Sequence, residues 1–272
     1  MFRIQTISSF DPPELAPYRT LRRSAEHAAQ GIFVAEGDKV VQRLLESPFL
    51  VESVVLPEAR LPEFQKLLAQ RAEDIAVYLA DKKFLESLVG FQMFQGVLAI
   101  GKIPVKPTLD DLLKQSQPPR LFAAVDGLTN AENIGLLVRN CVAFGVQALI
   151  VGETCSSPWL RRSVRNSMGT IFKIPILEGE SLIKTLRNLR SHSIRCIAAH
   201  PHTDKKTVTQ ADFTGDCCIV FGSEGYGISE TVLAACDEAV LIPMANEVDS
   251  LNVSAAAAVF LYEASRQRNF RV

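Results

Sequence analysis

A chain of 272 residues, 47% hydrophobic and 22% charged, is long enough for two domains with sizeable cores and has the balance of a soluble globular protein. No apolar run approaches the roughly 18 residues that span a bilayer, and residues 1–15 lack a signal-peptide core, so a cytoplasmic protein with no membrane partner is expected. The formal net charge is −1, with 15 Lys+Arg against 15 Asp+Glu up to Arg120 and 14 against 15 beyond it; this excludes a broadly basic surface, and a polyanionic partner would have to be held by local patches.

From residue 15 the pattern alternates between helix and strand. It predicts a helix over 15–29, a strand over 32–35, a helix over 38–45 and a strand over 51–56. A helix over 61–70, a strand over 75–79, a short helix over 81–88 and a closing strand over 96–100 follow. Together they make a small α/β domain of about four strands, residues 1–102. Its first helix carries Arg19, Arg22 and Arg23 at spacings that share one face, with Lys39 nearby in sequence; taken alone this is a solvated face. Phe91, Phe94 and Gln95, beside a glycine, read as core rather than binding surface. Residues 103–119 hold four prolines and read as an interdomain linker around a short helix, 109–114.

Beyond residue 120, apolar strands over 121–125, 148–151, 172–176, 195–199, 217–221 and 239–242 are expected. Helices over 136–144, 158–167, 181–189 and 229–235 separate them, and an alanine-rich helix reaches Arg268. Such alternation implies a mostly parallel sheet covered on both faces, with ligands at the carboxyl ends of its strands. The six cysteines lack C-x-x-C or other metal-ligand spacing, and Cys141, Cys196, Cys217 and Cys218 lie in apolar runs. His200 and His202 flank Pro201 in what reads as an exposed turn, and no metal is expected.

Three clusters fall at strand ends. In residues 126–139, Asn133 sits near a helix start and Arg139 follows six residues later among Leu136, Leu137, Val138 and Val142. A charge there calls for a fixed partner, an acid such as Glu224, or a phosphate. The loop Gly222-Ser223-Glu224-Gly225-Tyr226-Gly227 would let backbone approach a ligand closely, but it matches neither G-x-G-x-x-G nor a phosphate loop. Glu224 in that loop would repel phosphates and suit a cationic or hydroxyl-bearing ligand. In the third cluster Pro243 stops a strand, and Asp249, Ser250, Asn252 and Ser254 precede the apolar run 255–260. These residue types cap helices, and four around one turn suggest a site. The last two clusters read as one pocket made by two neighbouring strand ends.

Taken in order, Asn133-Ile134-Gly135 with Arg139 and Ala143-Phe144-Gly145, then Phe221 through Ser229, then Ile242-Pro243-Met244 with Ser250-Leu251-Asn252-Val253-Ser254-Ala255-Ala256, resemble three motifs. They are those of the SpoU (TrmH-like) branch of the SPOUT superfamily of RNA ribose 2′-O-methyltransferases. Val34-Ala35-Glu36-Gly37 and Gln95-Gly96-Val97 resemble the RNA-binding domain that many members carry ahead of the catalytic one. The resemblance implies a catalytic domain over 120–272 whose C-terminal segment is threaded as a trefoil knot, against the general rule that chains are unknotted. It also implies S-adenosylmethionine as cofactor and a homodimer formed through the catalytic domain. By matching positions, Gly222, Glu224, Gly225, Ile242, Met244 and Leu251 are expected at the cofactor. Asn133, Arg139, Glu224, Ser250 and Asn252 match the catalytic set.

The substrate implied is structured RNA, with ribosomal RNA favoured over transfer RNA because the extra N-terminal domain suits a large folded partner. Beside a methyl-transfer pocket, Arg161, Arg162 and Arg165 become expected phosphate contacts, and Arg19, Arg22 and Arg23 become candidate RNA contacts. Moving a methyl group from a sulfonium to a hydroxyl needs in-line positioning and a route for the hydroxyl proton. A guanidinium is a poor base. The expected role of Arg139 is therefore to hold phosphate and hydroxyl in line, with Glu224 and Asn252 orienting it. Two rivals are weaker: an inactive knotted RNA-binding protein, opposed by the intact Asn133, Arg139, Glu224 and Asn252, and a nicotinamide-dependent dehydrogenase, opposed by the missing glycine fingerprint.

Overall fold

The computed structural model describes residues 2–89, 96–179, 181–201, 206–246 and 248–269. The chain divides into two compact units, residues 1–105 with 159–172, and residues 106–158 with 173–272. Phe91, Phe94, Gln95 and His202 lie outside the described residues.

In the first unit, β1 (Phe2–Thr6), β2 (Ile32–Glu36), β3 (Val51–Leu56), β4 (Ile75–Leu79) and β5 (Leu98–Lys102) form one sheet in the order β1-β4-β3-β5-β2. Strand β4 runs parallel to β1 and β3, while β5 is antiparallel to β3 and β2. The first strand adds to the four expected. Residues Arg3 to Thr6 are exposed, so no buried alternation announces the strand; its pairing with β4 defines it.

The expected helix over 15–29 is broken. A 3-10 turn, Pro13–Leu15, leads into Ala16–Arg19, and a second helix begins only at Ser24–Ala29. The Thr20 hydroxyl donates back to the Ala16 carbonyl at 3.1 Å and lies 3.0 Å from His27 Nε2, a local alternative to continued helix that turns the chain. Arg19, Arg22 and Arg23 therefore do not share a helical face: Arg19 closes one helix and the other two occupy the turn. All three are exposed, and Arg23 pairs with Glu26 at 3.0 Å. Nearby, the fully buried Tyr18 places its hydroxyl 2.8 Å from Ser53 Oγ, and burial pushes its phenol pKa up.

Residues 159–172 complete this unit. Trp159 and Phe172 pack with Phe33 and Phe49 at ring-centroid distances of 5.3–6.2 Å. Such aromatic pairs each add about 0.5–1.5 kcal/mol beyond area burial. The helix expected over 158–167 is confined to Arg161–Asn166.

In the second unit, β6 (Leu121–Val125), β7 (Ala148–Val151), β8 (Ile176–Glu178), β9 (Arg195–Ala199), β10 (Cys217–Phe221) and β11 (Glu238–Val240) form a sheet in the order β11-β9-β10-β6-β7-β8. Every neighbouring pair is parallel. Strands β6, β7 and β10 are buried at every position, which is why they read as unbroken apolar runs. The strand expected over 172–176 starts only at Ile176, because Pro175 offers no N–H to a ladder; Thr170–Lys173 forms a 3-10 turn instead. The helix Leu109–Gln115 is packed rather than free-standing. Leu109 and Leu112 join Phe122 and Leu186 in the core, and Thr108 with Asp111 closes a capping box at its start.

Candidate active site

The site grows from the carboxyl ends of β6, β9, β10 and β11. After β6, Asn130 caps the helix Ala131–Ala143, its side-chain oxygen accepting from Glu132 N at 2.8 Å and Asn133 N at 3.4 Å. Asn133 is thereby fixed in the first turn, with only 7% of its surface exposed. After β10, the glycine loop is closed by two backbone bonds between Ser223 and Gly227, at 2.9 and 3.0 Å. Its exit is tied to β6: Asp126 Oδ2 accepts from Ser229 N at 2.8 Å and from Ser229 Oγ at 2.7 Å.

Glu224 and Asn252 join the three clusters. Glu224 Oε1 accepts from the side-chain amide of Asn133 and, at 2.5 Å, from Asn252 Nδ2. The same Asn252 nitrogen lies 3.2 Å from Asn133 Oδ1. Its oxygen caps the helix Val253–Gln267, accepting from Ser254 N at 2.9 Å and Ser254 Oγ at 2.5 Å. One asparagine thus links the glycine loop, the helix after β6 and the final helix. A second tie, Asn140 Nδ2 to the Ser254 carbonyl at 2.6 Å, holds the two helices together.

A cavity of about 320 Å³ opens beside this network. Gly222, Glu224, Gly225, Ile242, Met244 and Leu251, expected at a cofactor, all line it, and so does Ser250. Asn133, Arg139 and Asn252 do not. Two corrections follow. The cavity is not made by neighbouring strand ends, because β9 lies between β10 and β11 and contributes Ala199, His200 and Pro201 to the wall. His200 is half-buried, with its backbone N–H bonded to the Val240 carbonyl at 3.0 Å, so it is a wall residue rather than part of an exposed turn. The only advance signal for it was its position just past the end of a strand.

Gly222 is also required by the loop itself. A Cβ built there would sit 2.1 Å from the Gly227 carbonyl carbon and 2.3 Å from Ile228 N. The missing side chain leaves room for the loop's own backbone.

Arg139 lies on the helix after β6 but is exposed, as is Leu136 one turn earlier at 36%. Among the described residues it makes no hydrogen bond or ion pair; the expected pairing with Glu224 is replaced by that acid's bonds to Asn133 and Asn252. Periodicity explains this. Ile134, Leu137, Val138 and Cys141 form the buried face, and Arg139 falls outside it.

The helix Arg161–Asn166 belongs to the first unit. Arg161 and Arg165 donate to the two oxygens of the buried Glu36 at 2.6 and 2.8 Å, while Arg162 is exposed. Glu36, part of the segment that resembled an RNA-binding domain, therefore holds two of the arginines expected at phosphates.

Among the described residues no lysine or arginine lines the cavity, whereas Glu224 and Asp249 bring carboxylates to it and Phe221, Leu251 and Phe260 bring apolar surface. That donor set disfavours a phosphate-bearing ligand and suits a cationic one with an apolar portion. A sequence profile of the SpoU rRNA Methylase family matches residues 120–262. The chain belongs to that family. The SpoU match begins just before β6 and ends within the final helix, so it contains every element of the site. An uncharacterized tRNA/rRNA methyltransferase of Mycobacterium tuberculosis (strain H37Rv) is 31% identical over 97% of this chain and 92% of its own length. The 23S rRNA (guanosine-2′-O-)-methyltransferase RlmB of Escherichia coli K12 is 31% identical over 86% of this chain and 98% of its own. Among solved structures, an RNA 2′-O ribose methyltransferase is 28% identical with a TM-score of 0.80, covering 98% of this chain and 100% of that one. The SpoU methyltransferase AviRb of Streptomyces viridochromogenes, in complex with AdoMet, is 25% identical with a TM-score of 0.81, covering 94% and 98%.

Proposed function

We propose that this protein is an S-adenosylmethionine-dependent RNA ribose 2′-O-methyltransferase acting on ribosomal RNA. The observation that carries the reading is the cavity: every residue expected at the cofactor lines it, and its carboxylates complement a cationic ligand. S-adenosylmethionine supplies the electrophilic methyl group. The chain's own residues bind and position. The backbone of Gly222 and Gly225 and the apolar Ile242, Met244 and Leu251 would hold the cofactor, while Glu224, fixed by Asn133 and Asn252, keeps the glycine loop and the final helix in one arrangement. Arg139, exposed and without a partner among the described residues, meets the substrate phosphate and holds the ribose hydroxyl in line for transfer. Ser250, on the cavity wall, completes the polar rim.

The same reading extends to assembly. A homodimer forms through the catalytic unit, because Leu136, Val259 and Tyr262 leave apolar surface exposed on the two helices that Asn140 ties together. The family resemblance and the strand order together support a trefoil knot. The chain after β11, outside β9, returns to set Asn252 against Asn133, which follows β6. The first unit binds substrate RNA, with the exposed Arg19, Arg22, Arg23 and Arg162 as contacts, while Arg161 and Arg165 are engaged by Glu36. No helix among the described residues is long and apolar enough to cross a membrane, and the enzyme works in the cytoplasm, where its substrate is.

Mapping 2′-O-methyl nucleotides in ribosomal and transfer RNA from cells with and without the protein tests this. Loss of one ribosomal methyl group is expected. Loss from transfer RNA would correct the substrate, and failure of the purified protein to bind S-adenosylmethionine would refute the activity.

A further inference from the structure

Tyr226 presents 98% of its surface to solvent, the most of any large apolar or aromatic side chain described. It nonetheless stands on a loop that is closed by hydrogen bonds. The two Ser223–Gly227 backbone bonds close the loop beneath it, and its own N–H donates to Ser223 Oγ at 3.1 Å. It also lines the cavity. Its neighbours Gly225 and Gly227 carry no side chains, and the space a Cβ would occupy at either has nothing within 4 Å. The ring therefore stands on a hydrogen-bonded stem with open flanks.

We propose that Tyr226 is a stacking platform for an unpaired RNA base beside the target ribose. This rests on the methyltransferase reading and assigns a residue for substrate recognition. Three observations favour a base over a protein side chain. A planar base needs one open ring face, which the flanking glycines leave. A protein anchor would be ringed by apolar neighbours that exclude water, whereas the loop around Tyr226 holds glycine, serine and glutamate. The cavity wall is where the reacting nucleotide must enter, and single-stranded RNA is read by stacking on aromatic rings. The stacking partner is sequence-tolerant, since every base has a π face, so Tyr226 places the nucleotide rather than choosing it.

The test uses the full-length protein, S-adenosylmethionine with a labelled methyl group, and ribosomal RNA from cells lacking the protein. Tyr226→Ala should raise the KM for RNA by roughly 5- to 150-fold, the range for loss of one base–aromatic stack, while kcat and cofactor affinity by calorimetry stay within twofold. Tyr226→Phe and Tyr226→Trp should keep near-normal KM. A separate arm needs no turnover. The single native tryptophan, Trp159, is 8% exposed, so emission from an exposed indole in Tyr226→Trp reports on the loop. An octauridylate should quench it, and an abasic octamer of the same charge should not. An unchanged KM for Tyr226→Ala, or equal quenching by the abasic octamer, overturns the proposal. So does a matching loss of cofactor affinity, which would assign the ring to the cofactor, or dissociation of a dimer in Tyr226→Ala, which would assign it to the partner subunit. Absence of methyl transfer by the wild type would refute the enzymatic reading instead, leaving the quenching arm to decide Tyr226.

Discussion

Asn252 offers the sharpest dissection, because its two ends do different work. The side-chain oxygen caps the final helix through Ser254 N at 2.9 Å and Ser254 Oγ at 2.5 Å; the amide nitrogen bonds Glu224 at 2.5 Å and Asn133 at 3.2 Å. Losing the cap costs about 1 kcal/mol. Losing a hydrogen bond to a carboxylate costs about 1.5 kcal/mol, taking the low end because Asn252 is exposed. Asn252→Ala should therefore destabilise by about 2.5 kcal/mol, lowering Tm by roughly 5–10 °C for a unit of this size. Asn252→Ser keeps a capping oxygen and should lose little more than half of that. Asn252→Asp also keeps the cap, but it sets a second carboxylate beside Glu224, so it should be nearly as stable as the serine variant and far worse at holding the glycine loop. Scanning calorimetry gives the stability order, and titration with S-adenosylmethionine gives the loop. Equal Tm losses for the serine and alanine variants would refute the division of labour, as would normal cofactor affinity in Asn252→Asp.

Arg139→Ala should leave Tm within about 1 °C, since exposed side chains without partners contribute little, yet lower turnover by roughly a hundredfold or more. Arg139→Lys should also be severely impaired, and near-normal turnover in either would remove Arg139 from the mechanism. Gly222→Ala should cost about 1–3 kcal/mol and weaken cofactor binding through a displaced loop, because the added carbon meets the Gly227 backbone; calorimetry showing neither change would contradict that contact. Glu263 titrates at about 2 because Arg266, with help from Gln267, stabilises its carboxylate. A depressed folded value contributes stability that is complete above the unfolded value near 4.5 and is lost as pH falls towards 2. Glu263→Gln should thus be less stable than wild type at pH 7, with the gap in urea unfolding closing between pH 4.5 and 2; a gap that persists at the acid end would count against the assignment.

What was legible in the sequence was chemistry at strand ends. Glu224, Ser250 and Asn252 announced themselves as polar residues in turns where a helix start or glycine loop left backbone groups to be satisfied, and the cavity gathers Glu224 and Ser250; Leu251 came only from the family resemblance. Lateral order was not legible. Nothing local says that β9 separates β10 and β11, so His200 went unassigned while its neighbours in space were identified. Apolar sequence neighbours do not bury Arg139; on a helix, enclosure depends on residues three and four away, and Leu136 is itself exposed. The break at Thr20 was invisible because it turns on a hydroxyl and His27, seven residues further on. Strand β1 carries almost no burial signal, since its stability comes from backbone pairing to β4, some seventy residues away.

The assignment of residues 159–172 to the first unit has a consequence for biosynthesis. When residue 105 leaves the ribosome, the first unit still lacks Trp159, Phe172 and the guanidinium groups that neutralise buried Glu36. At 5–20 residues per second the missing segment takes roughly another 3–13 seconds to appear, and β6 and β7 are made in the meantime. The nascent first unit must wait with Phe33 and Phe49 short of two aromatic partners and a carboxylate without its counter-ions. Vectorial folding, one unit finished before the next begins, is closed to this chain. A gene cut after residue 105 would yield a product stranded at that waiting stage, and one begun at residue 106 would carry Trp159 and Phe172 with no aromatic cluster to join.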